Sequence, residues 1–514
     1  MIAPAIGAPS ASRVRPPAAD AAALATVTRL AEALLRERIP YCHWKSNAHL
    51  GDSAEGTTDL DLLADRDHAQ RLAALLPRIG FKRFAAVPWH AYPGVEDYLA
   101  LDRESGRLVH LHLHYELTLG ERHLKGYRLP WERLALSTRQ LDRPTGLYVA
   151  DPRLELLLLL VRSALKLRAR DRWRIGVNTG GLDAGAEREY QWLRARTDLE
   201  DVEFLTRRLL GPAAAESVGT LGAEAPTPAW LRALRRHARA ELRSCRTHGA
   251  VGAWLRRTAR EGRVLAGAVD RRWVRSAHRR VRTDPRGGVV VALIGCDGAG
   301  KSTLADHAAT WLSWKLDTTP IYLGSGDGPA SPLRWPLRFA LRLALGARRW
   351  RARHRGAEPA APGAGWTLPR IVWALVLSRE KRRKLARAVR ARNRGMVVLC
   401  DRYPQVQVPG FNDGPLLTRW LNHPSAMARR VARWESAPYA WAARHPPDLV
   451  IKLLVSPGVT LGRKPGMRLE DVSRRVDAVR ALTFAEPAHV VEIDADAPLE
   501  QVLQRVKDAI WDRL

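Results

Sequence analysis

Residues 289–303 read VVVALIGCDGAGKST. A β-branched apolar run, Val289 to Ile294, enters a glycine turn and leaves toward Leu304 and a helical segment. Gly295, Gly300, Lys301 and Ser302 carry the G-x-x-x-x-G-K-S spacing of a phosphate-binding loop. Glycines let the backbone curl until successive N–H groups face an anion. A lysine adds a point charge for the β- and γ-phosphates, and a serine hydroxyl serves Mg²⁺. The helix that follows aims its positive dipole end at the same place. Strand, loop and helix all fall where that chemistry needs them, so the segment predicts binding of a nucleoside triphosphate rather than a chance glycine turn.

From the loop to the C-terminus, strand and helix patterns alternate, as in a parallel sheet covered on both faces. The strand candidates are Val289–Ile294, Pro320–Leu323, Met396–Cys400, Leu449–Leu454 and His489–Ile493. Helical periodicity covers Pro332–Arg355 and Thr367–Arg392, on either side of the Gly/Ala/Pro-rich stretch 356–365. The strand MVVLC runs directly into Asp401-Arg402-Tyr403. In open α/β sheets ligand chemistry gathers at the carboxyl ends of strands. Asp401 there is placed to serve Mg²⁺ or an attacking oxygen, and Arg402 to grip a phosphoryl acceptor.

GCDGAGKSTLA, VVLCDRY, PDLVIKLLVSP and VVEIDADAPLEQVLQRV together resemble thymidylate kinase and its nucleoside monophosphate kinase relatives, over about residues 288–514. The resemblance implies a Mg-ATP-dependent kinase that phosphorylates a nucleoside monophosphate, dTMP first among them. Gly295, Gly298, Ala299, Gly300, Lys301, Ser302 and Thr303 would then surround the ATP phosphates, with Ser302 and Asp401 at Mg²⁺. Asp297 would face ATP and the acceptor, and Arg402 and Tyr403 would contact the acceptor. Arg379, or in its place Arg382 or Arg383, would bind the acceptor, and Arg463, Lys464 and Arg468 in LGRKPGMR would supply the cationic lid. The family is commonly homodimeric.

Three departures bear on the acceptor. PQVQVPGFNDGP after Tyr403 lacks the family's base-recognising pattern, IYLGSGDG replaces the usual acceptor loop, and about 328–366 is an added element. A sugar or other small metabolite stands as the alternative acceptor, and a regulatory NTP-binding scaffold as the alternative class.

The N-terminal region contains YCHWKSNAHLGDSAEGTTDLDLLADR. Asp59 and Asp61 are two apart, so on a strand they face one side and can hold a divalent metal. Ser46 precedes them at the distance of the Gly-Ser turn in nucleotidyltransferases, with Lys45 in the glycine's place, and 25–150 weakly resembles that fold. Where that fold's third carboxylate belongs, LVHLHLHYEL offers His110, His112 and His114 on one face, as metal ligands or as polar positions of a half-buried strand. An active nucleotidyltransferase and a binding module that kept the fold both fit this pattern.

The expected architecture is α/β. A tail (1–20), an α+β nucleotidyltransferase-like domain (21–150) and a helical domain (151–282) precede the P-loop domain (283–514). Asp59–Ala64 and Leu108–Tyr115 read as strands, Ala21–Arg38 as a helix and Gly211–Pro228 as a loop.

The chain has 514 residues, 46% hydrophobic and 27% charged, which fits globular domains. Its 84 basic and 53 acidic residues give a net charge of +31 and predict anionic partners. The arginines are spread along the whole chain, and no RNP or zinc-finger signature directs them to nucleic acid. Arg334–Arg355 is basic and amphipathic, which fits either an anionic membrane surface or a packed helix with a charged outer face. The four scattered cysteines form no CxxC pair, no apolar run approaches a membrane span, and the tail lacks a signal-peptide core. A cytoplasmic location is expected.

Overall fold

A computed structural model describes residues 23–121, 123–167, 182–222, 225–269, 279–324, 368–408, 414–463, 466 and 468–514. These fall into two compact units. One comprises Met1–Lys82 and Pro93–Gly249, the other Arg83–Tyr92 and Ala250–Leu514.

In the first unit, the strands β1 (Tyr41–His43), β2 (Leu60–Ala64), β3 (Val95–Asp102) and β4 (Arg107–His114) precede a hairpin of β5 (Leu117–Leu119) and β6 (Tyr127–Leu129). Two further strands are β7 (Gln140–Asp142) and β8 (Leu147–Val149), and the sheet runs β3-β4-β2-β1-β8-β7. It is mixed: β2 pairs parallel with β4, while β1 with β2 and β3 with β4 are antiparallel. The register sets Asp61 opposite His112 and His112 opposite Asp97.

One sheet face is covered by helix α1 (Ala25–Arg36), whose Val27, Leu30 and Leu34 are buried. The other meets helices α2 (Pro152–Lys166), α3 (Ala184–Arg194), α4 (Leu199–Gly219) and α5 (Pro228–Glu241). Asp151 caps α2 by accepting from Arg153 N, and Pro152 occupies the first turn, where its missing N–H costs nothing. Every residue from Leu154 to Val161 is buried, so this helix is the unit's hydrophobic centre. Cys42, Trp44 and Leu63 from the sheet pack in the same cluster. The helices after Asp151 thus share a core with the N-terminal sheet as far as Gly249. The loop expected over Gly211–Pro228 is a correction: Gly211 turns the chain at φ 77°, and helical structure continues to Gly219.

The second unit carries an all-parallel sheet. Its elements are β9 (Val289–Gly295), α6 (Lys301–Ser313), β10 (Thr318–Tyr322), α7 (Leu368–Asn393), β11 (Val397–Asp401), α8 (Ala426–Arg444), β12 (Leu449–Leu454), α9 (Pro457–Arg463), α10 (Leu469–Ala481), β13 (His489–Asp494) and α11 (Leu499–Arg513). The strand order is β10-β11-β9-β12-β13, with β9 central. Both neighbours of β9 are parallel to it, so the chain leaves β9 at the point where the order reverses, which is where such sheets form a ligand crevice. β9 and β11 are buried throughout, as strands covered on both faces must be.

The amino edge of this sheet is pinned by Asp448. Its carboxylate accepts from Val290 N at 2.8 Å and from two nitrogens of Arg392 at 2.7 and 2.6 Å. Gly288 lies against the same edge, where an added Cβ would meet Met396 O at 2.1 Å. Residues Arg83–Tyr92 belong to this unit, since Arg282 and Thr283 pair with Ala86 and Ala85. Among the described residues no helix is long and apolar enough to cross a membrane. The basic stretch Arg334–Arg355, the added element at 328–366 and the tail at 1–20 lie outside the described residues.

Candidate functional site

The loop between β9 and α6 is built by three glycines with different tasks. Gly295 ends β9 so close to the next strand that a Cβ would sit 3.1 Å from Leu453 O. Gly298 and Gly300 take φ of 93° and 81°, a region that side chains disfavour. α6 then starts at Lys301 with its first N–H groups turned toward the loop.

Lys301 is buried, and its ammonium donates to Cys296 O at 2.6 Å. Burial, then the nearby Arg402, pull this lysine down to about 8, against the opposing pull of Asp297 and Asp401. Ser302 Oγ donates to Asp401 Oδ2 at 2.5 Å. A hydroxyl and a carboxylate converging beside a phosphate loop are the hard oxygen donors that suit Mg²⁺.

Arg402 follows β11 in a left-handed conformation, φ 71°. Strain of that kind in a non-glycine residue is characteristic of functional positions. The turn sends its guanidinium to Asp297 Oδ1 at 2.7 Å, while Arg475 of α10 reaches Asp297 Oδ2 at 2.8 Å. Two arginines from distant segments thus converge on one loop carboxylate.

A cavity of about 470 Å³ opens over the loop, lined by 297–304 together with Arg402, Arg463, Ala495, Ala497, Leu499 and Val502. Its cationic end is Lys301 and Arg402, and its apolar end is formed by the residues entering α11. Arg463, exposed at the rim, donates to Gly298 O at 3.3 Å and Ala495 O at 3.1 Å, bridging the two ends.

The structure gathers Asp297, Gly298, Ala299, Gly300, Lys301, Ser302, Thr303, Asp401, Arg402 and Arg463 at this loop. Other expected site residues lie elsewhere. Tyr403 is buried, and its hydroxyl donates to His445 O at 2.6 Å, away from the cavity lining. Arg379, with Arg382 and Arg383, lines a separate cavity of about 950 Å³ between α7 and α8, beside Trp434 and Trp441. Arg468 is exposed at the start of α10, and Lys464 lies outside the described residues. Arg475 was not singled out in the sequence. Its only signal there is an Arg-Arg pair in a helix of an arginine-rich chain.

No protein-family model matches this chain. It is 31% identical over 227 residues to an uncharacterized ATP-binding protein, YghS, of Escherichia coli strain K12, covering 43% of this chain and 92% of YghS. The chain belongs to the YghS family. The uncharacterized ATP-binding protein YghR of the same strain is 27% identical over 228 residues, covering 43% of this chain and 86% of YghR.

A second polar cluster lies in the first unit, on the sheet face that β2, β3 and β4 share. His110 is fully buried, with Nδ1 2.8 Å from Asp59 Oδ1 and Nε2 2.9 Å from Asp97 Oδ1. Asp61 Oδ1 is approached by Lys45 Nζ at 2.9 Å, His112 Nδ1 at 3.0 Å and His114 Nε2 at 3.3 Å. Burial works against charge on Asp61, yet Lys45 and the two histidines hold its carboxyl well below the usual carboxylate range. Burial, then His112, pull His114 down to about 3, so this imidazole is neutral. The two expected carboxylates therefore divide: Asp59 pairs with His110, while Asp61 joins His112 and His114.

The turn before them differs from an open phosphate turn. Ser46 takes φ 60°, and its N–H donates to Glu189 at 2.9 Å; Glu189 also accepts from Arg162 at 2.8 Å. Asn47 binds the buried Glu155 through its backbone at 2.8 Å and its side chain at 2.7 Å. Burial lifts Glu155 to about 7. Lys125 is pulled down to about 7 by burial and then by the charges of Lys45, Lys166 and Arg162.

Proposed function

We propose that the second unit is a Mg-ATP-dependent phosphotransferase that moves the γ-phosphoryl group of ATP to a small acceptor of the nucleoside monophosphate class. The observation that carries this reading is the convergence of Lys301, Ser302, Asp401 and the Arg402–Asp297–Arg475 triad on one glycine loop. YghS and YghR are named as ATP-binding proteins, which supports ATP as the donor.

In this reading the loop N–H groups and the α6 terminus hold the phosphates, and Lys301 leaves Cys296 O to pair with them. The apolar residues Ala495, Ala497, Leu499 and Val502 receive the base. Ser302 and Asp401 would hold Mg²⁺, which when bound neutralises charge on the phosphates. Arg402 and Arg475 orient the acceptor's anionic group opposite the γ-phosphate. The bond from phosphorus to the bridging oxygen breaks as the bond to the acceptor oxygen forms, and ADP leaves. Arg463 reaches the loop from a short helix and adds positive charge as water is excluded.

A hydroxyl-bearing acceptor such as a sugar is the second reading. It is favoured by the position of Arg379 and Tyr403 outside the loop cavity. Labelled ATP offered with a panel of acceptors, dTMP among them, tests both. Transfer to nucleoside monophosphates, lost in Lys301→Ala, is the expected result. Transfer only to a sugar selects the second reading. ATP binding with no transfer to any acceptor overturns both and leaves a regulatory nucleotide-binding role.

A further inference from the structure

We propose that Asp61, His112 and His114 form a divalent transition-metal site with an open coordination position, and that Lys45 and Arg162 receive the phosphate of a ligand bound at that metal. The site is built from residues of the first unit.

The geometry argues for it in three ways. The three side chains each offer a ligand atom, and these atoms lie within 4.8 Å of one another. Asp61 Oδ1 is 3.0 Å from His112 Nδ1 and 3.3 Å from His114 Nε2. A tetrahedral ion with bonds of about 2.0 Å has ligand–ligand edges of about 3.3 Å, so two edges already have nearly the right length. Two imidazoles and one carboxylate leave a fourth position open, the arrangement of catalytic rather than structural metal sites. Nitrogen donors favour zinc, cobalt or nickel over magnesium, which prefers oxygen.

Packing sets one ligand ring: His114 lies edge-on against Trp44 with centroids 5.2 Å apart. Asp97 Oδ1 lies 3.9 Å from His112 Nε2, beyond direct hydrogen-bond distance. Asp59 is held by His110, so the ligand set is not the paired carboxylates that the sequence offered.

Lys45 gives the site its second half. Its ammonium sits 2.9 Å from Asp61 Oδ1, where an incoming cation would bind. A metal on that oxygen would displace the Lys45 ammonium, and Arg162 is tied to the same segment by Glu189, which also holds Ser46, the next residue. Lys45 and Arg162 then present positive charge to an anion at the open position. The ligand class is a phosphate-bearing small molecule.

Co²⁺ titration of the full-length Lys301→Ala chain, followed by visible absorption, tests the site with the glycine loop disabled. The expected result is one equivalent of Co²⁺ with the bands of a tetrahedral or five-coordinate site, displaced by Zn²⁺. His112→Gln, at a partly exposed position, and Asp61→Asn should each weaken binding at least about 10-fold. Lys45→Met should strengthen Co²⁺ binding when no anion is present. Inorganic pyrophosphate should shift the bands in the parent chain and shift them less in Lys45→Met. No Co²⁺ bands, or equal affinity in His112→Gln, overturns the metal site. Bands unmoved by pyrophosphate overturn the phosphate half. Should Asp61→Asn fail to fold, His112→Gln alone decides.

Discussion

The Ser302 hydroxyl donates to Asp401 Oδ2 across 2.5 Å, joining the first turn of α6 to the end of β11. The parallel pairing of β9 and β11 brings the two together at the loop. Both offer oxygen donors suited to Mg²⁺. Asp401→Asn should leave ATP binding in EDTA unchanged and weaken the Mg²⁺-dependent gain about 10–100-fold. Calorimetry with and without Mg²⁺ reads both quantities, and an unchanged Mg²⁺ dependence would remove Asp401 from the metal.

Lys301 begins with a depressed pKa of about 8. A bound triphosphate favours the ammonium and raises that value. The ammonium is intact below pH 8, so affinity is full there and falls as pH climbs past it. Above pH 8, binding ATP should take up a proton. Calorimetry in buffers of different ionisation enthalpy detects that uptake, which Lys301→Met should abolish. Turnover in Lys301→Ala should fall about 10²–10³-fold, the scale of losing one preorganised charge at a transition state.

Arg475 donates to Asp297 Oδ2 of the loop at 2.8 Å. Arg475→Ala should raise the KM for the acceptor about tenfold while the Kd for ATP stays constant. Steady-state kinetics with each substrate varied in turn separates the two effects. An equal loss on the ATP side would place Arg475 at the donor instead.

Glu155 couples the first unit to pH. Its carboxyl is raised from 4.5 to about 7 in the folded chain. Between those values the folded state binds more protons than the unfolded one, so this group's contribution to stability is fully present below about 4.5 and is lost as pH rises through 7. The loss is on the order of 3 kcal/mol. Hydrogen exchange of the β1 and β2 amides should show this trend in the wild type and not in Glu155→Gln.

Gly288→Ala tests the sheet edge. Its Cβ would overlap Met396 O, and backbone cannot yield as a side chain can. Destabilisation of about 1–3 kcal/mol is expected from overpacking, read as a lower denaturation midpoint for the second unit.

The sequence made the second unit's strands legible because each is a short apolar run that the parallel sheet must bury. Leu449–Leu454 falls where it was expected, and β9, β10, β11 and β13 differ by a residue or two at their ends. The glycine loop was equally legible, since its chemistry is local. What the sequence could not show is convergence. Arg379 and Arg475 read alike as helical arginines, and only the topology turns one toward α8 and the other toward Asp297. Asp59 and Asp61 share a face as their spacing requires, yet the histidines opposite them decide which partners each acquires. Gly211 looked like a loop signal, although helical structure resumes beyond it because Ala214, Ala215 and Val218 have a core to enter.

With both oxygens of Asp297 engaged by guanidinium groups, the loop carries its own substitute guest. An acceptor anion that takes those two guanidinium groups would first have to evict the resident carboxylate. In the proposed reaction a weakly charged metabolite would lose that contest, and the evicted side chain would be left to meet a hydroxyl of the newcomer.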